Sequence, residues 1–135
     1  MTDTDKINVE IITPEKRVFH GYVERLNVPA AVGSTGVLAD HAPLLTVLVP
    51  GVVEYQSQGQ TGRVAISDGF MEVLNNEVQL LVKTAELAEN IDEARALASL
   101  ARAKKRLADK QAGLDRVRAE AALAKALARL KAIGK

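Results

Sequence analysis

The stretch Asn90-Ile91-Asp92-Glu93-Ala94-Arg95-Ala96, running on through Leu97-Ala98-Ser99-Leu100 to Arg106, decides the fold. Before it, apolar residues alternate with polar ones as in a sheet; from it to the C-terminus they recur with a helical period. Asn90 offers a side-chain cap, and Glu93, three residues on, can reach back to the Asn90 amide, a helix start worth about 1 kcal/mol. At roughly 100° per residue, Asp92, Arg95, Arg102 and Arg106 fall on one side of this helix, and Leu97, Leu100, Ala101, Leu107 and Ala108 on the other. One face is charged and the other is for packing. Spacing alone leaves two readings of Asp92 and Arg95: an i,i+3 ion pair with the acid at the positive end of the helix, or part of a ligand site.

Gly113 is the one strong breaker between Asn90 and Gly134, so the helical part is expected to bend at Asp109 to Gly113 and return as a second helix. In that helix Val117, Ala121, Ala124 and Ala128 line one face, Leu123, Leu127 and Leu130 an adjoining one, and Arg118, Lys125 and Arg129 a third. An alanine strip permits close approach but removes little apolar surface, since a buried Leu contributes about 1.5 to 3 kcal/mol and a methyl much less. Docking of the hairpin is therefore expected to be marginal, whereas its Ala, Leu, Arg, Lys and Glu content favours helix in either posture.

Working back toward the N-terminus, Ile7, Val9 and Ile11 alternate with their neighbours as a first strand, and Thr13 to Lys16 is a turn. Short β-rich pieces follow at Val18 to Phe19 and Gly21 to Val28, closed by Pro29. The rhythm resumes at Gly51 to Gln56, Arg63 to Ser67, Phe70 to Leu74 and Glu77 to Thr84, with turns at Ser57 to Thr61, Asp68-Gly69 and Asn75-Asn76. Many short strands joined by tight turns predict a sandwich or flattened barrel. Phe19, Tyr22, Tyr55 and Phe70 are the only aromatics, so the core must be Val, Leu and Ile.

The chain has 135 residues, enough for one domain or a small domain with an appendage, and its net charge of +1 hides a division. Residues 1–88 hold six Lys and Arg against eleven Asp and Glu, a net of −5; residues 89–135 hold twelve against six, a net of +6. The basic tail suits either a solvated helical surface or an acidic partner. No cysteine is present, and His20 and His41 are the only histidines, leaving little for a disulfide framework or a metal centre. Met1 to Lys6 is polar, unlike a leader, and the longest apolar run, Leu44 to Val53, falls well short of the ~20 residues of a membrane helix.

Chemistry has no foothold. No serine sits in a Gly-x-Ser-x-Gly setting, and no glycine is followed by Lys and then Ser or Thr, so Gly33 to Gly36 reads as a turn rather than a phosphate cradle. The carboxylates are scattered, and His41 reads as a turn or interface residue rather than a base. A nucleic-acid binder would explain the basic tail, yet that tail has no aromatic for stacking and the acidic body would repel phosphate.

The order of Gly36-Val37-Leu38-Ala39-Asp40-His41-Ala42-Pro43, then Ser67-Asp68-Gly69-Phe70-Met71-Glu72-Val73, then Ile91-Asp92-Glu93-Ala94-Arg95-Ala96 resembles the epsilon subunit of bacterial F-type ATP synthases over essentially the whole chain. The resemblance implies an α+β chain: an antiparallel β-sandwich of about ten strands over residues 1–88, followed by a two-helix antiparallel hairpin over residues 89–135. It implies a non-catalytic subunit coupling rotation to proton flow, its body bound to gamma and the c-ring, at the cytoplasmic face of a bacterial plasma membrane or, alternatively, at a thylakoid. Leu38, His41, Ala42 and Pro43 are then partner contacts. The opened hairpin would reach the alpha and beta subunits and obstruct hydrolytic rotation, with Arg116, Arg118, Lys125 and Arg129 facing an acidic loop.

Relatives that bind ATP carry Ile or Leu, Asp, two variable residues, Arg and Ala at the junction, matched here by Ile91, Asp92, Arg95 and Ala96. By that similarity ATP is a regulatory ligand favouring the folded hairpin: Glu86 and Asp92 recognise adenine and ribose, and Arg95, Arg102 and Arg129 face the phosphates. Lys125 stands where some of these relatives have arginine; lysine keeps the charge and loses the planar fork, so binding with altered affinity is expected. The alternative is a sandwich and coiled-coil adaptor with no nucleotide response.

Overall fold

The computed structural model describes residues 5–108 and 113–135. Ten strands precede two helices: β1 Ile7–Ile12, β2 Arg17–Val23, β3 Arg25–Ala30, β4 Gly33–Leu38, β5 Leu44–Leu48, β6 Gly51–Ser57, β7 Gln60–Ile66, β8 Gly69–Leu74, β9 Glu77–Val82 and β10 Ala85–Leu87, then α1 Glu93–Ala108 and α2 Gly113–Ala132. The bend expected at Asp109 to Gly113 falls mainly on residues outside the described ones; Gly113 itself opens α2.

The strands run in the order β10-β7-β6-β3-β5-β8-β9-β1-β2, with β4 on the free edge of β3. β3 joins the two layers: its first half pairs with β6 at Arg25–Asn27, and its last residue, Ala30, pairs with Leu48 of β5. Next to the β3–β6 pairing the amide of Glu24 donates to the Gln56 carbonyl at 2.8 Å and the Ser57 hydroxyl to the Tyr22 carbonyl at 3.2 Å, tying the end of β2 to β6 and nearly closing the sandwich. Every neighbouring pair is antiparallel except β1 with β9, which run parallel from Asn8 opposite Glu77 to Ile12 opposite Leu81.

Period-two alternation sends Ile7, Val9 and Ile11 of β1 and Val78, Leu80 and Val82 of β9 inward, where they join Met71, Val73, Leu26 and Val28 and further aliphatic side chains of β2 and β4–β7 in the core. The side chains are aliphatic, as the scarcity of aromatics requires, and Phe19 and Tyr55 pack at the rim with ring centroids 4.6 Å apart. Asn75 and Asn76 have φ of 53° and 62°, the left-handed pair that a two-residue hairpin demands.

Three strand expectations are corrected. Pro29 lies within β3 instead of closing it: its carbonyl accepts from Val49 at 2.9 Å, on the side where the chain bends at Pro50 and no donor is needed. Gly33 to Gly36 is strand, not turn, because pairing with β3 along its whole length overrides the poor β-propensity of Gly-Ser-Thr-Gly. Glu77 to Thr84 is not one strand; it ends at Val82, and Ala85–Leu87 leaves as β10 to pair with β7.

The cap of α1 is also corrected. Asn90 closes a 3-10 turn, Ala88–Asn90, and Ile91 is extended. Asp92 is the cap, its Oδ1 accepting the Arg95 amide at 3.1 Å and its carbonyl the Ala96 amide at 3.0 Å. Glu93 instead meets Lys135 Nζ at 3.4 Å, drawing the two ends of the hairpin together.

The helix faces differ from the expected ones. In α1, Ala96 and Ala103 are buried and Leu100 and Leu107, expected on the packing face, are half-buried, while Leu97, Ala101 and Ala108 are exposed, Leu97 to 49%. α1 has one helix as its main neighbour, so a seam of residues seven apart suffices. α2 buries two nearly opposite faces: Ala119 and Ala126 where it meets α1, and Ala128 and Ala132 where it meets β6 and β7. The stripe Val117, Ala121, Ala124, Ala128 exists, but only the last turns of α2 lie over the sheet, and Val117 stays 73% exposed.

Candidate functional site

The seat of α2 on the body is built from small residues. Ala128 and Ala132 pack against Ala65 of β7, with Val52, Ala88 and Ile91 around them. Ile91, expected in the ligand set, therefore serves as packing at this seat.

Close approach over Ala65 carries Arg129 to Glu86, which lies opposite Ala65 on the adjacent β10. Arg129 Nε is 2.8 Å from Glu86 Oε1 and Nη2 donates to Oε2 at 3.4 Å. The Nε hydrogen is not aligned on an acceptor, so the shorter contact is one of charge rather than a well-formed hydrogen bond. The side chains are 14% and 34% exposed, so this pair is screened less than one on the open surface.

Among the expected ligand residues the structure thus joins Glu86 to Arg129, and Asp92 to Arg95 through the helix cap. Asp92 and Arg95 form no ion pair of their own; the carboxylate spends its reach on the Arg95 backbone. Arg102 is exposed and donates to Ser99 Oγ at 3.0 Å, and Lys125, one turn before Arg129, is exposed. A cleft of about 740 Å³ opens beside the seat, lined by Pro29, Gly51, Val52, Arg63, Lys131 and Gly134 among others. None of Asp92, Arg95, Arg102, Lys125 and Arg129 lines it.

On the body, Leu38 is exposed at the end of β4 and leads into a turn held on several sides. Asp40, at φ 67°, takes the Asn76 Oδ1 on its amide at 2.6 Å; the His41 amide donates to Leu38, and its Nδ1–H to the Ala42 carbonyl at 2.6 Å. Ala42 and Pro43 are exposed beyond it, while Arg116 and Arg118 are exposed far along the chain on α2, Arg116 pairing with Glu120 at 3.3 Å.

A larger surface went unnoticed in the sequence. Val47, Phe70 and Leu81 lie opposite one another on β5, β8 and β9, facing outward at 48%, 55% and 50% exposure. Leu81 in turn pairs with Ile12 of β1, and Ile12, Pro14, Phe70 and Leu81 line a shallow cleft of about 390 Å³. The signal was present: Leu44-Leu45-Thr46-Val47-Leu48-Val49 is apolar at both parities, so one strand face had to be apolar on the outside.

Two groups titrate away from their ordinary values. Glu10 is held below 4.5, first by the Arg17 guanidinium at 3.0 Å, then by Gln79 and more weakly by the charge of His20. Tyr55 is pushed above 10 by burial and by Glu89, which keeps its hydroxyl neutral near the start of the hairpin. Among the described residues no three His, Asp or Glu side chains gather as metal ligands, and no helix is long and apolar enough to cross a membrane.

Comparison with known proteins agrees with this architecture. Residues 6–88 match the β-sandwich domain of the ATP synthase delta/epsilon chain, and residues 89–134 match its long α-helix domain. An ATP synthase epsilon chain of Pelotomaculum thermopropionicum is 51% identical over 94% of this chain and 95% of its own length; one of Carboxydothermus hydrogenoformans is 47% identical over 97% and 98%. A chain of the Euglena gracilis mitochondrial ATP synthase OSCP/F1/c-ring structure superposes with a TM-score of 0.81 at 24% identity, over 94% of this chain and 80% of that one, a likeness of fold. With both domains matched in order and the curated relatives aligned nearly end to end, the chain belongs to the ATP synthase delta/epsilon family, among its epsilon chains.

Proposed function

We propose that this epsilon chain is a non-catalytic central-stalk subunit that couples the rotor to proton flow through its β body and restrains ATP hydrolysis through a hairpin that leaves that body. The observation that carries the proposal is the seat of α2: methyl groups of Ala128 and Ala132 over Ala65, and an ion pair, in place of a Leu-filled interface. Alanines bury so little that the docked posture is weakly held, while the α1–α2 seam keeps the hairpin a unit that can move whole. The outward row Val47, Phe70, Leu81 at one end of β5, β8 and β9, and Leu38, Ala42 and Pro43 toward the other end, are apolar surfaces the body offers, read here as its contacts with gamma and the c-ring.

On this reading the opened hairpin presents Arg116, Arg118, Lys125 and Arg129 to the alpha and beta subunits, and ATP favours the docked state by engaging Asp92, Arg95, Arg102 and Arg129. ATP need not be hydrolysed here; differential affinity for one posture is enough. Removing residues 90–135 and reconstituting the synthase tests the brake: hydrolysis rises while assembly persists, and equal inhibition by the truncated chain refutes it. Calorimetric titration of the full chain with ATP tests the ligand, and absence of heat together with nucleotide-independent melting refutes that part.

One observation favours a second reading, an adaptor with no nucleotide response. Glu86 and Arg129, both assigned to the nucleotide, satisfy one another within the chain.

A further inference from the structure

We propose that Glu86 and Arg129 form a latch built into the chain, which holds the hairpin on the body and places the Glu86 carboxylate where it competes with an anionic ligand for the Arg129 guanidinium. The competitive half rests on the ATP reading above; the latch itself does not.

Three observations converge on the latch. Ala128 and Ala132 give α2 no side chain long enough to interlock with the sheet, so the apolar part of the seat supplies contact without grip. Ala65 leaves the floor flat, and because Glu86 is its partner across the β7–β10 ladder, the same close approach that suits the alanines sets Arg129 over Glu86. Both charges lose water there: Arg129 is 14% exposed, so with Glu86 removed its guanidinium is left partly buried without a counter-charge. Loss of one partner from such a pair is more damaging than loss from an open-surface pair.

The arrangement also explains why the latch is releasable. Glu86 sits on β10, a three-residue strand at the end of the sheet order, immediately before the 3-10 turn that leads into the hairpin. Nε and Nη2 of Arg129 both face this carboxylate. A phosphate drawing Arg129 to itself takes the counter-charge role from Glu86, so the hairpin passes from an internal clamp to a ligand clamp without an unpaired guanidinium between them. Docking and anion capture thus share one side chain.

The chain has no cysteine, so Glu72→Cys on exposed β8 and Ala121→Cys on exposed α2 accept a single pair of spin labels. Double electron–electron resonance on the full chain should show one narrow distance distribution across the body. Glu86→Gln and Arg129→Gln should each raise the open-to-docked ratio about ten-fold, and the charge-exchanged double variant, Glu86→Arg with Arg129→Glu, should return it toward the starting value. Singles that keep the starting distance, or an exchanged pair as open as the singles, overturn the latch. Near-ultraviolet and thermal signatures of the β body, unchanged in all three, show that the fold survives.

Millimolar tripolyphosphate, which carries no adenine or ribose for Glu86 to recognise, should re-dock Glu86→Gln, whose Arg129 is free for phosphate, and should leave the exchanged variant unaffected. Failure of tripolyphosphate to re-dock Glu86→Gln while wild type gives calorimetric heat with ATP overturns the competition. No heat with wild type defeats the ATP reading instead, and the latch is then judged on the distances alone.

Discussion

The β body and the helical hairpin bury alanines and larger aliphatics in opposite proportion. The body closes over sixteen buried Val, Ile, Leu and Met side chains drawn from strands far apart in sequence, whereas the cluster joining hairpin to body has three buried residues, all alanine. A core of branched side chains interlocks and has one good arrangement; a methyl-to-methyl contact can part and re-form with little loss. One chain therefore carries a rigid platform and an arm of low adhesion, and the difference lies in side-chain volume rather than in secondary structure.

The contrast is broken most severely in the platform. Leu80→Ala, at a fully buried site in β9, should cost about 2 to 5 kcal/mol in urea denaturation followed by circular dichroism. A loss under ~1 kcal/mol would mean that the body tolerates cavities as loosely as the hairpin does. Gly69→Ala comes next: its Cβ would stand 2.0 Å from the Leu81 carbonyl and 2.7 Å from the Val82 Cα, both backbone, so β8 and β9 must separate. About 1 to 3 kcal/mol is expected in the same assay, along with loss of the aligned Phe70–Leu81 surface.

Ala128→Leu sharpens the comparison by leaving the body intact and lifting the arm. The added carbons meet Ala65, so docking should weaken by about 1 to 3 kcal/mol, seen as faster protease cleavage near Asn90 while the body melts unchanged. Asp92→Ala removes the cap of α1 and should cost about 1 kcal/mol, confined to the first turn in amide hydrogen exchange.

The smallest effect is one of pH. Because Glu10 is depressed in the fold, its contribution is fully present above its unfolded value near 4.5 and is lost as pH falls through the lower folded value. Carboxyl NMR should titrate Glu10 below 4.5, and Arg17→Ala should raise it, with stability at neutral pH nearly unchanged.

Much of this was legible in residues read one after another. The alternation in Ile7–Ile12 and Phe70–Leu74, and the Asn75-Asn76 turn, are local signals and emerged as strands and a hairpin, β8 starting one residue earlier at Gly69. Pairing was not legible: Gly33 to Gly36 looked like a turn because its stability comes from β3, and Pro29 looked like a stop because only the passage of β3 from β6 to β5 shows that its missing donor is not needed. Helix faces were half legible. Periodicity located the stripe Val117 to Ala128, but which turns of it met the sheet depended on where α2 lay.

The candidate site divides the same way. Asp92 and Arg95 stood out from spacing, yet their link through the cap, and Ile91's place in packing, followed from the chain path after β10. The outer row Val47, Phe70, Leu81 needed the register of β5 against β8, which lies more than twenty residues further along the chain, as well as that of the β8–β9 hairpin.

By itself the sequence determined the division into an aliphatic sheet and a charged, alanine-rich helical arm, because period, propensity and residue volume are properties of short stretches. Tertiary structure alone decided that Arg129 would meet Glu86, 43 residues earlier in the chain, since only the docking of α2 over Ala65 sets that distance. Charges distant in the chain attract too weakly through water to choose a partner, so packing brings them together first and electrostatics acts on what packing has arranged.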